Sequence, residues 1–452
     1  MTFDTDTRPE ATTTTVDAAS FRSAPVHEAS RARLAGNGLD YRVVPVDGDG
    51  YPQWLQVVAR GFQDGERSDE QVASSRERSG YRRVTGVYDP AAPIADAPVA
   101  TIASWIGELT VPGGAAVPSC AISAVTVAPT HRRRGIARAM LEGELGAAVT
   151  AGAPMAMLTV SESTLYGRYG FAPAALSASW RIETKRAAWI GPRPDGRVDF
   201  ITRERLRELV APLHEQVRHD VAGEIDVPGG HWDGFAGTTP TAEKAGEKRA
   251  VQYADAGGEV RGLAIYSVHG NDDDFTKASV RVGYLLAATD DAYAALWRFL
   301  LELDLVAEVN ADELSVDEPL RWMIADQRAA RVTLRDHQYV RILDVPTALE
   351  ARRFASPGTI ALDVADPLGH AAGRYILEVD ADGRGSVTPW GPGTAPGGAV
   401  EVSLGIEELS AAYLGGVSLA TLAAAGRVRS TDASAAARVF AWHTAPRLSI
   451  WY

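Results

Sequence analysis

Arg132, Arg133, Arg134 and Gly135 stand between an apolar run that ends at Val127 and a helical run that starts at Ile136. The pattern reads as strand, basic turn, helix start. A turn of this kind can grip a pyrophosphate. Backbone N–H groups at a helix N-terminus point outward without an intrahelical partner, and the helix dipole adds partial positive charge there. The guanidinium groups add full charges. Gly135 removes the Cβ that would hold a phosphate off the backbone. The competing reading is an ordinary solvated helix start. His131 beside the arginines reads as a loop residue, and Cys120 as a core thiol.

The strands and helices around this turn can be read from the periodicity. Cys120 to Val127 is a buried strand leading into it. The helix after it places Ile136, Met140, Leu141 and Leu145 on one side, and Gly152 can end it. Met157 to Val160 is the next strand. Ser161 to Phe171 is a short helix or turn running into another strand. Upstream, Tyr41 to Val44 reads as the first strand. Trp54, Leu55, Val58 and Phe62 fall at helical spacing, and Val84 to Tyr88 and Val99 to Ile106 read as strands. Trp54, Phe62 and Trp105 suit a pocket lining and a core equally. Together these elements predict an α+β nucleotide-type module over residues 39–179. Residues 1–38 are rich in Thr, Ala, Ser and charge, which predicts a disordered or loosely attached tail.

Residues 180–337 form a second module. Arg281 to Ala288 is a strand, and Asp290 to Leu303 is a capped amphipathic helix. This pair echoes the first module without a glycine or an arginine at the turn, and Asp290 and Asp291 would repel phosphate. It predicts a degenerate repeat that binds no cofactor. A third module, residues 338–452, starts near Val340 to Pro346. It reads as a helix (Thr347 to Arg353), strands at Thr359 to Val364, Arg374 to Val379 and Val400 to Leu404, and two alanine-rich helices. Ile450, Trp451 and Tyr452 are apolar and aromatic, which predicts a docked terminus rather than a frayed one.

The 452 residues predict roughly three domains. An apolar fraction of 46% and a charged fraction of 23% are ordinary for a globular protein. A net charge of −13 argues against broad nucleic-acid binding and suits a cationic partner. The single cysteine excludes internal disulfides and cysteine-based zinc sites, and no metal is expected. No apolar run is long enough to span a membrane. The start of the chain carries Asp4, Asp6 and Glu10 and lacks the apolar core of a secretory signal. A cytoplasmic location is the expectation.

The turn fits the R/Q-x-x-G-x-G/A pattern of the Gcn5-related N-acetyltransferases (GNAT) as Arg132-x-x-Gly135-x-Ala137. With the longer string from Ile122 to Ala137, the pair Ser161-Glu162, the run Tyr166 to Phe171, and Leu343 to Pro346, the chain resembles the enhanced intracellular survival (Eis) family. These are actinobacterial acetyltransferases of amines, aminoglycosides included. The resemblance spans Tyr41 to Tyr452 and leaves out the N-terminal tail. It implies an α+β fold of mixed sheets, with tandem GNAT-like domains followed by a sterol-carrier-protein-like domain, assembled as a homohexamer. It implies acetyl-CoA as co-substrate, held by the backbone of Val125, Thr126 and Val127, by the turn Arg132, Arg133, Arg134, Gly135, Ile136, Ala137 and Arg138, and by Ser161 and Glu162. It implies Tyr166 as general acid and the terminal carboxylate of Tyr452 as general base.

The chemistry needs such groups. An amine arrives protonated at neutral pH, so a base must take its proton. A terminal carboxylate, with a reference pKa of about 3.3–3.7, is weak for that unless burial raises it or a water relays the proton. The departing thiolate needs a proton, and a tyrosine with a reference pKa of about 10 keeps one to give. Tyr169, one turn on, is a rival acid. The expected acceptor is a polycationic aminoglycoside. Protein lysines, polyamines and other small amines are the alternative, and a lipid-binding or scaffold protein is the non-enzymatic one.

Overall fold

The computed structural model describes residues 16–239, 242, 244–391 and 393–452. Apolar residues in short alternating or continuous runs produce strands throughout residues 40–342, and twelve of them join in one sheet. In chain order they are β1 (Asp40–Val43), β2 (Arg83–Tyr88), β3 (Ala100–Thr110), β4 (Ala116–Val127), β5 (Met155–Thr159), β6 (Ala172–Glu183), β7 (Arg197–Ile201), β8 (Lys248–Ala254), β9 (Val260–His269), β10 (Ala278–Ala287), β11 (Val306–Leu314) and β12 (Ala330–Ile342). The spatial order is β1-β2-β3-β4-β5-β12-β6-β11-β10-β9-β8-β7.

Only two neighbours in this sheet run parallel: β4 with β5, and β10 with β11. A parallel pair needs a crossover, and each has a helix in that place. Along the chain the helices are α1 (Ala18–Ser23), α2 (Glu28–Ala35), α3 (Tyr51–Gly61), α4 (Asp69–Ser79), α5 (Ile136–Thr150), α6 (Thr184–Ala187), α7 (Arg203–Arg218), α8 (Gly229–Ala236) and α9 (Asp290–Leu301). The crossovers are α5 and α9. The two halves of the sheet therefore share one plan, and they exchange their last strands. β12 enters between β5 and β6, and β6 enters between β11 and β12.

This exchange corrects two expected boundaries. A division at 179/180 falls inside β6, and one at 337/338 falls inside β12. Val340, expected to open the third module, pairs with Met157 of the first. The C-terminal unit begins after Ile342 with α10 (Val345–Ala351). It contains a separate sheet of β13 (Gly358–Ala365), β14 (Gly373–Val379), β15 (Gly385–Pro389), β16 (Val400–Gly405) and β17 (Arg429–Ser430), with α11 (Ile406–Ala412), α12 (Leu419–Ala424) and α13 (Ala433–Phe440). Leu362, Leu377, Leu409, Tyr413, Leu414 and Phe440 fill its interior.

The expected loose tail is also corrected from residue 17 onward; residues 1–15 lie outside the described residues. Asp17 caps α1 by accepting from Ala19 and Ser20. Phe21 and Leu34 are 2% and 1% exposed. Glycines on α5 make the room: a Cβ on Gly143 would come within 3.1 Å of Ser30, and one on Gly146 within 3.0 Å of His27. Arg83, fully buried, binds Glu144 and donates to the Pro25 carbonyl. Few apolar residues are needed when each is buried completely.

The two faces of the sheet at β3–β5 have different tasks. One is covered by α5 and α2 around Ile122, Met140, Leu145 and Leu158. The other, with Trp105, Ala121 and Met157, receives α7, α8 and the end of the chain.

Candidate active site

The pairing of β4 with β5 stops at Ile122 and Leu158. From Ser123 to Val127 the edge of β4 facing β5 has no strand partner among the described residues. A bulge marks the parting point. Ala124 takes a φ of +52°, and the β3–β4 register shifts between Thr101 and Ala103. A bulge bends its strand and re-aims the residues beyond it. Thr101 fixes it, donating from Oγ1 to the Ala124 carbonyl at 2.9 Å and lying 2.7 Å from the Thr126 hydroxyl. Gly61 at the end of α3 closes on the same point, since a Cβ there would come within 2.5 Å of Thr126 Cγ2. Val125, Thr126 and Val127 thus form a held, unpaired backbone edge.

Gly135 is the N-cap of α5 in the left-handed region, with φ +76°. No side chain caps the helix start, and no acidic residue lies in its first turn. A Cβ at Gly135 would meet nothing within 4 Å. The N–H groups of Ile136, Ala137 and Arg138 therefore lie at an open helix start. The arginines divide. Arg134 is drawn to Asp89 (3.3 Å) and Arg138 to Glu142 (2.6 Å). Arg132 and Arg133 are exposed and carry no ion pair among the described residues. His131 ends a 3-10 turn (Pro129–His131) and binds Asp89 at 3.0 Å. That hydrogen bond, with one from the Ala91 backbone, holds the Asp89 carboxyl below its ordinary range.

The equivalent start in the second half is closed. Thr289 caps α9 by accepting from Ala292 at 3.1 Å, and Asp290 and Asp291 occupy its first turn. The open start of α5 and the free edge of β4 fit a nucleotide-linked thioester; the closed start of α9 does not fit a phosphate.

Ser161 and Glu162 lie exposed in the turn after β5. Tyr166 comes next, 9% exposed, directly before a 3-10 turn at Gly167–Tyr169, with its ring edge on Phe171 at 6.2 Å. Burial, aided by the charge of Glu162 and by Tyr169, pushes its hydroxyl up to about 12. Tyr169 is buried as well, and burial raises it too.

The end of the chain docks against this region. Arg447 donates its backbone N–H to the Ala222 carbonyl at 2.8 Å. The buried carboxylate of Glu224 accepts from Arg447 Nε (3.2 Å) and from Ser449 Oγ (3.0 Å). Burial opposes its ionisation, but His214, Arg447 and Ser449 outweigh that and hold it below the ordinary range. His337 Nε2 donates to the Ile450 carbonyl at 2.9 Å. Leu448 and Ile450 are fully buried. Thr159, at the tip of β5, donates to the Tyr452 carboxyl oxygen at 2.7 Å. The Tyr452 ring stands edge-on to Trp105 at 5.3 Å.

Thr101, Thr159 and Asp226 have no local sequence signal. The Asp226 carboxylate accepts from the Glu108 backbone N–H at 2.6 Å across 118 residues, and burial pushes it up to about 6. The three aromatic residues with two open readings part ways. Trp54 is core, stacked on Tyr51 with its indole N–H on the Thr85 carbonyl. Phe62 is 47% exposed. Trp105 meets the terminal residue.

A splayed parallel pair beside an open helix start, repeated once in closed form and followed by a separate five-stranded unit, defines an N-acetyltransferase with tandem GNAT domains. Residues 42–174 and 223–342 each match an acetyltransferase (GNAT) domain family, and residues 345–449 match the sterol carrier protein domain family. An uncharacterized N-acetyltransferase of Streptomyces avermitilis is 37% identical over 409 residues, covering 88% of this chain and 94% of the relative. The N-acetyltransferase Eis of Mycobacterium tuberculosis is 33% identical over 335 residues, covering 72% of this chain and 78% of Eis. The crystal structure of Eis1 from Mycobacterium abscessus superposes with a TM-score of 0.76 at 26% identity, covering 91% of this chain and all of that one. The chain belongs to the Eis family of N-acetyltransferases.

Proposed function

We propose that the protein transfers the acetyl group of acetyl-CoA to an amine, with Tyr166 as general acid and the Tyr452 carboxylate as general base. Acetyl-CoA would supply the activated thioester. Its pyrophosphate fits the N–H groups of Ile136, Ala137 and Arg138, with Arg132 and Arg133 free to approach it and Arg134 nearby. Its pantetheine arm fits the edge of Val125 to Val127, and Ser161 and Glu162 lie beyond the tip of β5. The hydrogen bond from Thr159 to Tyr452 carries the reading, because it puts a carboxylate at the point where β5 has left β4. There it can take the proton of an incoming ammonium, directly or through water, before the freed amine attacks; the C–N bond then forms, the C–S bond breaks, and the second proton of the nitrogen restores Tyr166 once that residue has protonated the sulfur. Tyr166 keeps its proton at neutral pH and can hand it to the departing sulfur.

Aminoglycosides are the acceptor class that the charge of −13 attracts. Arg78 and Arg82 line a recess that reaches Trp105, the indole packed on the Tyr452 ring, and favour the second reading, a smaller amine or a lysine side chain. The filled interior of the C-terminal unit supports a positioning role for it rather than lipid carriage. Hexameric assembly and a cytoplasmic location complete the proposal. No helix among the described residues is long and apolar enough to cross a membrane. Purified protein incubated with acetyl-CoA and a panel of aminoglycosides, polyamines, lysine peptides and small amines should release free thiol with at least one acceptor, with mass spectrometry counting the acetyl groups. Silence across the whole panel sinks the reading.

A further inference from the structure

Arg78 and Arg82 line a cavity of about 410 Å³ together with Tyr81, Gly230, His231 and Phe235. Both arginines are half-buried. Arg78 donates Nε to the Ser74 carbonyl at 3.2 Å, and Arg82 donates Nε to the Tyr81 hydroxyl at 2.9 Å. Neither meets a carboxylate among the described residues. A guanidinium drawn out of water is costly without an anionic partner, and here two of them line one cavity.

The cavity contains one further partial charge of the same sign and one neutral imidazole. Gly230 is the second residue of α8, whose N-cap, Pro228, makes no side-chain cap. The N-terminal end of that helix therefore adds partial positive charge. Burial and the two arginines push the His231 imidazole down to about 4. It stays neutral near pH 7 and can hydrogen-bond a ligand without a charge of its own.

One indole separates the cavity from the ring of Tyr452, the residue whose carboxylate is the proposed base. Arg82 lies over the Trp105 ring at 5.0 Å, and Tyr81 meets it edge-on at 5.5 Å. Trp105 in turn meets Tyr452 at 5.3 Å. Trp105 is 3% exposed, and its Nε1 finds no acceptor among the described residues.

We infer that this cavity holds the oxyanion, a carboxylate or a phosphate, of an acceptor that presents its amine toward Tyr452. This deepens the second reading above, a small amine, into a zwitterionic amine, and sets it against the polycationic aminoglycosides. The inference rests on acetyl transfer beside Tyr452. Guanidinium groups pair with planar or tetrahedral oxyanions through two parallel hydrogen bonds, and two of them with a helix start give such a group donors on several sides.

The test pairs acceptors that differ in one group: phosphoethanolamine against ethanolamine, and 4-aminobutyrate against butylamine. The anionic member of at least one pair is expected to show a kcat/KM at least about tenfold higher, in KM rather than kcat, the size of one charge-assisted contact. The two pairs tell phosphate from carboxylate. Arg82→Gln also removes a contact to Trp105, so Arg78→Gln, which does not touch Trp105, is the decisive variant. It should erase the preference by raising KM for the anionic acceptor alone, and Arg82→Lys should keep part of it. Equal use of the members of both pairs, or equal loss on both members in Arg78→Gln, overturns the inference. Calorimetry separates it from the acetylation reading. Binding of phosphoethanolamine or 4-aminobutyrate that weakens in Arg78→Gln without any turnover would sustain the cavity and refute acetyl transfer. Binding of neither, or indifference to the substitution, would refute the cavity.

Discussion

Thr159 holds the Tyr452 carboxyl oxygen at 2.7 Å across 293 residues of sequence. The residue is the last of β5, where the strand has parted from β4. The C-terminal unit spans this distance by anchoring its final segment at three points before the carboxylate: Ala222, Glu224 and His337.

A Gly-Ser extension after Tyr452 would move the carboxylate off Thr159 while leaving α5 and β4 untouched. Turnover is expected to fall by about 10²-fold or more, the scale of an acid–base step, with acetyl-CoA affinity unchanged by calorimetry. Thr159→Val should cost less, because one neutral hydrogen bond contributes about 0.5–1.5 kcal/mol, or roughly 2–13-fold in rate. Full turnover in the extended protein would remove the carboxylate from the mechanism.

Tyr166→Phe keeps the ring against Phe171 and deletes only the hydroxyl. The expected loss is about 10²–10⁴-fold in kcat with little change in acetyl-CoA binding. The hydroxyl is held up to about 12, above its ordinary 10. The fold therefore favours the protonated form. Its contribution to stability is complete below pH 10 and is lost as the pH rises through about 12. The kcat profile should show no alkaline limb from this group below about pH 10. If Tyr169→Phe gives the larger loss in kcat, the acid is Tyr169.

The basic turn separates into paired and unpaired arginines, so its substitutions should not be equivalent. Replacing Arg132 and Arg133 by Ala is expected to raise the KM for acetyl-CoA about tenfold, since each can give a charge-assisted contact, with no change in Tm. Arg138→Ala should do less to KM, because that side chain is already engaged by Glu142. Gly135→Ala forces a Cβ into a left-handed turn, costing roughly 1–2 kcal/mol, and should lower Tm as well. Equal effects from Arg138 and the Arg132/Arg133 pair would mean the paired groups move to the ligand.

Local features were legible in the sequence. The open start of α5 and the closed start of α9 differ in residues that sit next to one another, Gly135 against Thr289, Asp290 and Asp291. Long-range pairing was not legible. A period-two apolar pattern marks β6 and β12 as strands but does not say that each inserts into the other half's sheet. Asp226 meets Glu108 across 118 residues and Arg83 meets Glu144 across 61, and neither contact leaves a trace in spacing. The segment before residue 39 misled on composition, because Phe21 and Leu34 are too few to raise its average yet both are fully used.

Glu224 and Asp226, two residues apart beside the docked terminus, should carry opposite pH signatures. Glu224 is held below the ordinary range. Its contribution is present above the unfolded carboxyl value and is lost as the pH falls through its lowered one. Removing its charge leaves Arg447 and His214 facing a neutral amide, and breaking a buried ionic contact costs about 3–5 kcal/mol. Asp226 is pushed up to about 6 from 3.8. A raised carboxyl favours the protonated form, so its contribution is present below pH 3.8 and is lost as the pH rises through about 6. Urea unfolding at pH 5 and pH 7.5 reads the difference. Glu224→Gln should destabilise strongly at both values, and Asp226→Asn should stabilise at pH 7.5 and by about half as much at pH 5. A stabilised Glu224→Gln would mean that the terminus docks without its charge, and a destabilised Asp226→Asn at pH 7.5 would mean that the Asp226 anion has a partner it needs.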